Sequence, residues 1–329
     1  MNDAFPLLPF RSTLYSPDEL FAGFDPAVVG SYATTPDFAA YRSTWLTAGH
    51  HDRDVGMLRA LHDQCISDAR DALIAERGVV AIMGGHGMHR EDPAYRAVAH
   101  LAAELSRRGY LVATGGGPGA MEASHLGALL SPRGPDALDR ALARVAAVGP
   151  FPASAAGLVG PDGVVDEAAL ADLHAWQRPA FELLVELGDG PRGESLAIPT
   201  WFYGHEPPTP FATHLAKYFA NAVREDGLLA IAVDGVIFSP GRAGTLQEIF
   251  QEACQNYYRT FDRRFSPMAF LDVDGCWSER FPVARLLRPL FGDDYDRHVR
   301  ISPDPAELLA FLADHDPAPH PRVRPAAPL

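Results

Sequence analysis

The chain has 329 residues, 47% of them hydrophobic, with 42 Asp plus Glu against 28 Lys plus Arg and a formal net charge of -14. That length can bury a large core as one elaborated domain or two modest ones. The acidic balance, without clustered positive charge, argues against nucleic acid and anionic membranes as partners. Cys65, Cys254 and Cys276 are widely spaced and fit neither a disulfide framework nor a zinc knuckle. The opening Met-Asn-Asp-Ala-Phe-Pro lacks a basic region leading into an apolar stretch, and no run of about 18 apolar residues occurs, so a cytoplasmic location is expected.

Residues 1–76 read as a helical extension, with a helix from about Val55 to Ala75 carrying Met57, Leu58, Leu61, Cys65, Ala69 and Leu73 near helical spacing. Residues 77–313 read as the nucleotide-binding body, and it begins with the apolar run Val79 to Met83, which ends in Gly84-Gly85 as a buried parallel strand does. An amphipathic helix follows from Pro93 to Arg108, stopped by Gly109, and Tyr110 to Thr114 is a second strand, which closes a βαβ unit. Residues 131–190 read as a helical insertion, with a helix near Glu167 to Leu187. Further strands are predicted at Leu196 to Thr200, Gly235 to Phe238 and Met268 to Asp272, and a helix from Pro210 through Ala230. The Pro- and Ala-rich residues 314–329 read as a disordered tail. The alternation of strands and helices predicts an α/β, Rossmann-like doubly wound parallel sheet.

Two glycine-rich turns carry the chemistry. Gly115-Gly116-Gly117-Pro118-Gly119 with Met121 and Glu122 follows one strand, and Gly241-Arg242-Ala243-Gly244-Thr245 follows another. Glycines let the backbone approach a phosphate, and each helix start offers unpaired N–H groups and a positive dipole end. Glu248, one helical turn further on, is then a carboxylate beside a phosphate site. The first loop, Gly84-Gly85-His86-Gly87, adds Gly84 and Gly85 as candidate nucleotide-binding positions but lacks the third glycine of a dinucleotide fingerprint, and no P-loop stretch with its lysine exists. His86, His89, His205 and His214 lack paired ligand spacing, so no metal is expected, and Cys254 reads as a small packing residue.

Thr114-Gly-Gly-Gly-Pro-Gly-Ala-Met-Glu-Ala and Pro240-Gly-Arg-Ala-Gly-Thr-Leu-Gln-Glu resemble the two signatures of the LOG ("Lonely guy") family, Rossmann-like proteins formerly labelled lysine decarboxylases. The resemblance covers roughly residues 78–130 and 195–275. It implies hydrolysis of the N-glycosidic bond of a nucleoside 5′-monophosphate to free base and ribose 5-phosphate, with no cofactor and with a homodimer or larger homo-oligomer. On this resemblance Glu248 is catalytic and Arg224 is its partner on the preceding helix, with Lys217 as fallback. Gly204-His205-Glu206-Pro207 resembles the family's His-Glu segment. Arg242 stands where the family has a second glycine, and Gln247 where many members have another glutamate, departures that suggest a larger bacterial subfamily and leave the base open. The rival reading is a nucleotide sensor or carrier of the same fold that cleaves nothing. A decarboxylase is rejected because neither glycine motif holds a lysine for a Schiff base.

Overall fold

Val79–Met83 forms β1, which is apolar and buried at every position because helices cover both faces of its sheet. The computed structural model describes residues 5–47, 52–260 and 265–315, so the expected tail lies, from residue 316, outside the described residues. The other strands are β2 (Leu111–Thr114), β3 (Ser195–Ala197), β4 (His214–Leu215), β5 (Val236–Phe238), β6 (Met268–Leu271) and β7 (Val299–Ser302). All pair in parallel in the order β4-β3-β2-β1-β5-β6-β7. The chain winds outward from β1 to β4, then returns to the other side of β1 for the remaining three. This is a doubly wound, Rossmann-like sheet. Its winding direction reverses between β1 and β5, which opens a crevice at their carboxyl ends.

Helices α1 (Pro17–Leu20), α2 (Pro36–Leu46) and α3 (Arg53–Ile74) precede the sheet, and α4 (Pro93–Arg107) joins β1 to β2. Between β2 and β3 lie α5 (Ala120–Leu130), α6 (Pro135–Val145) and α7 (Glu167–Leu187). Then α8 (Asn221–Ile231) leads into β5 and α9 (Ala243–Tyr258) leaves it. The chain finishes with α10 (Ala284–Phe291) and α11 (Tyr295–His298) before β7, and α12 (Pro305–His315) after it. The period of two along β1 divides the core. Val80 and Ile82 pack in one cluster with Val98 of α4, Leu126 of α5 and Leu308 of α12. Val79, Ala81 and Met83 share the other with Ile66 of α3, Leu228 of α8 and Ile249 of α9.

The helix expected from Pro210 begins only at Asn221. Residues before it run extended, because β3 offers a free edge and the prolines at 207, 208 and 210 disfavour a helix start. Ala216 N–H donates to the Ala197 carbonyl at 2.8 Å, and Ser195 N–H to the Thr213 hydroxyl at 2.8 Å. Tyr15, in the N-terminal extension, forms an isolated antiparallel bridge with Leu215. Helices α2 and α6 and strands β4 and β7 were not expected from the sequence pattern.

Helices α4 and α5 touch at Gly127, where a β-carbon would overlap the Ala99 carbonyl. Gly127→Ala is expected to cost about 1–3 kcal/mol, as overpacking of a close helix contact does. A urea melt with an unchanged midpoint would show that the helices are free to separate.

Candidate active site

Three turns meet at the carboxyl edge. The β1 turn is pinned to both of its neighbours: Gly85 N–H donates to the Pro240 carbonyl at 3.1 Å, and Ala120 N–H donates to the Gly85 carbonyl at 3.2 Å. Gly84 and Gly85 therefore shape the crevice, and the N–H of Gly85 is already committed. A β-carbon on Gly84 would lie 2.6 Å from that of Ala120. Gly119 has φ +69° and sits against the Gly85 and His86 carbonyls, so only glycine fits there. Gly116 N–H is taken by the Thr114 hydroxyl at 2.9 Å. That hydroxyl also meets His125 Nε2 at 2.7 Å, and burial pushes His125 down to about 3, so the ring is neutral. Gly117 N–H points at the Met121 sulfur at 3.4 Å, which places Met121 beneath the turn.

The β5 turn is different. Arg242 caps α9 without a side-chain hydrogen bond. The N–H groups of Ala243, Gly244 and Thr245 have no partner among the described residues, the open start expected of an anion site. The Thr245 side chain folds over Gly241, and Arg242, Ala243 and Gly244 are exposed.

Arg224 and Glu248 meet at this edge. Arg224 Nε donates to the Ile198 carbonyl at 3.0 Å, and its guanidinium lies over Gly115, 2.9 Å from where a β-carbon would stand. It forms no ion pair with Glu225 or Asp226, which instead accept from Gln247 and Gln251. Gln247 thus ties α9 to α8. Glu248 is half-buried and accepts no hydrogen bond from a described residue. Burial pushes its carboxyl up to about 7; Arg224 pulls the other way and Glu225 adds to the rise. Burial wins. Arg224 offsets only part of the rise.

Of the remaining expected residues, Glu206 lies in the same crevice, 3.6 Å from the β-carbon position of Gly117 and 3.9 Å from His86 Nδ1. His205 is beside it, its Nε2 also 3.9 Å from Glu206. Two expectations need correction. Glu122 is fully buried, accepting from Arg90 at 2.7 and 2.8 Å and from the Tyr95 hydroxyl at 2.8 Å, so its oxygens hold α5 to the β1 turn and none is left for a ligand. Lys217 is also fully buried, paired with Asp37 of α2 at 2.6 Å. Asp37 further accepts from Trp201 Nε1 and the Tyr32 hydroxyl, which makes Lys217 an anchor for the extension.

A residue missed in the sequence governs Arg224. Asp63 of α3 is buried and accepts from Phe219 N–H at 3.0 Å and Ala220 N–H at 2.8 Å, which fixes the backbone just ahead of α8. Its own position is fixed by His62 at 3.0 Å, which the Tyr15 hydroxyl meets from the other side at 2.8 Å. No local pattern marks contacts made 156 and 157 positions away.

The topology places the chain in the Rossmann-like α/β class. No protein-family model matches the sequence, and no curated protein matches it. Among solved structures, the chain is similar to TM1055, a structural genomics target, at 18% identity and TM-score 0.42, over 72% of this chain and 99% of that one. It is also similar to the molybdenum cofactor binding protein of the phototrophic bacterium Rippkaea orientalis, at 14% identity and TM-score 0.41, over 72% and 96%. Among the described residues no group of three His, Cys, Asp or Glu is arranged for a metal, and no helix is long and apolar enough to cross a membrane.

The raised Glu248 carboxyl has a consequence for stability. Its folded pKa of about 7 exceeds the ordinary carboxylate value, so between about pH 4.5 and 7 the folded state holds the extra proton. Stability then falls as pH rises through that window. Glu248→Gln is expected to melt higher than the parent at pH 8, with the gap closing below pH ~4.5. Parallel melting curves at every pH would show that the carboxyl titrates normally.

Proposed function

We propose that this chain is a hydrolase of the LOG type, cleaving the N-glycosidic bond of a nucleoside 5′-monophosphate to free base and ribose 5-phosphate. The observation that carries the reading is the meeting of Glu248, Arg224 and the Gly115 turn beside the open start of α9. In this reading the free N–H groups of Ala243, Gly244 and Thr245 receive the 5′-phosphate, with Arg242 as a further donor. Phosphate binding holds the sugar for reaction, a use of remote binding energy. As the bond from the anomeric carbon to the base nitrogen breaks, positive charge grows on the sugar and negative charge on the base. The Glu248 carboxylate stabilises the first and takes a proton from the attacking water. Arg224, fixed through the Ile198 carbonyl, keeps a positive charge near Glu248 and the ligand. Glu206 and His86 stand across the crevice as groups for the leaving base.

The chain is further proposed to act in the cytoplasm as a homodimer. Phe250, Tyr257 and Tyr258 on α9 and Val223 on α8 are exposed apolar side chains close in sequence to Glu248 and Arg224, the kind of face that association covers.

Purified protein incubated with a panel of nucleoside 5′-monophosphates should release base and ribose 5-phosphate. Glu248→Ala should lower turnover by at least about a hundredfold, the low end for a general acid or base, with folding intact. Binding without release from any nucleotide would favour a sensor or carrier, and full turnover by the variant would remove Glu248 from the chemistry.

If the ionised carboxyl is the working form, kcat/KM should rise with pH through about 7 as Glu248 loses its proton. A profile flat from pH 5 to 9 (roughly two units either side) would contradict that role.

A further inference from the structure

A second cavity, of about 410 Å³, opens at the opposite edge of the sheet from the crevice. It is lined by Asp234, just ahead of β5, by Pro267, just ahead of β6, and by His298 and Arg300 where β7 begins. That volume suits a small molecule.

Aromatic rings form much of its wall. Phe265 stacks on His298 with centroids 4.3 Å apart, and Phe311 meets His315 at 4.5 Å. The two histidine rings are 5.2 Å apart. His298 is 8% exposed, yet its Nδ1 has no hydrogen-bond partner. His315 Nδ1 donates to the Phe311 carbonyl at 2.8 Å, and its Nε2 is also buried and without a partner. Burial pushes His298 down to about 4, with His315 and Arg297 acting in the same sense, so its imidazole is neutral. Buried polar atoms are rarely left unpaired without cause.

Two guanidiniums complete the lining. Arg300 reaches Glu307 at 3.3 Å, whereas Arg297 is exposed and has no acid partner among the described residues. Of the two acids in the lining, Asp234 already accepts the Val79 N–H at 2.7 Å, and Asp314 is exposed to solvent.

We propose that this cavity binds a small oxyanion, carboxylate or phosphate, carried on a compact ring-like body that also bears a hydrogen-bond donor. Arg297 and Arg300 take the oxyanion, as guanidinium does for both groups. Phe265 and Phe311 cover the body, and the free nitrogens of His298 and His315 are the partners for its polar atoms. The site is independent of the crevice and does not rest on the activity proposed there.

The test uses the full chain with two probes, 4-hydroxybenzoate and 4-hydroxyphenyl phosphate, followed by calorimetry and by the side-chain nitrogen resonances of the histidines. At least one probe should bind once per chain, shift the His298 and His315 signals, and weaken by about tenfold or more in Arg297→Gln, the loss of one charged hydrogen bond. The same binding should persist in Glu248→Ala. The preferred probe identifies carboxylate or phosphate as the head group. The proposal is overturned if neither probe moves the histidine signals at millimolar concentration, or if Arg297→Gln binds as the parent does. Arg297 is a surface side chain, so circular dichroism of the variant should match the parent and a loss of binding cannot be put down to unfolding.

Discussion

The contact between the β1 and β2 turns sets the rest of the carboxyl edge. Gly119, held at positive φ, lies directly against the Gly85 and His86 carbonyls, and Gly84 leaves no room between Ser239 and Ala120 for a β-carbon. Three backbones can then come together at one place, with Gly85 bonded to the β5 turn on one side and to the start of α5 on the other. The buried Arg90 carries the same contact deeper. It pairs with Glu122 of α5, donates to the Trp176 carbonyl of α7 and lies 4.0 Å from the Trp176 ring centroid. A charged pair buried this completely is costly to break from one side. The first half of the sheet, the inserted helix α7 and the crevice floor are therefore coupled through one ion pair.

With the floor fixed, the electrostatics of the crevice follow from a competition at Glu248. Burial raises its carboxyl, and the guanidinium of Arg224 offsets only part of that rise. The outcome is a group that changes charge near neutrality, which suits proton transfer better than a permanent anion would. Glu252, one turn further along α9, is fully buried and is likewise pushed up, to about 8, by burial, against hydrogen bonds from Ser266 and Asn256.

How much of this was legible in the sequence depended on the range of the interaction involved. The apolar runs ending in glycine at Met83, Thr114 and Phe238 declared parallel strands, because a strand covered on both faces needs no polar positions. Arg224 and Glu248 were legible through the motif resemblance, and the structure brings them to one edge. Glu122 and Lys217 were misread because their neighbours in the chain suggested a ligand site, whereas their partners Arg90 and Asp37 stand 32 and 180 positions away. Strand β4 was hidden for a related reason. A two-residue edge strand has too little pattern to declare itself, and it exists because β3 offers unpaired backbone groups.

The residues before the sheet are the clearest case of structure beyond local pattern, and they bear directly on the site. Asp63 accepts from the N–H groups of Phe219 and Ala220 just ahead of α8, Lys217 is locked to Asp37, and Arg70 reaches the Tyr218 hydroxyl at 3.4 Å. Four consecutive residues, from Lys217 to Ala220, are thus held by α2 and α3. Arg224 sits one turn into the helix that follows. Its guanidinium can rest on Gly115 only if α8 starts where those contacts put it, since a helix advances about 1.5 Å per residue and the contact tolerates less than one residue of slip. The extension is in this sense part of the site: its contacts set where the crevice finds its cation.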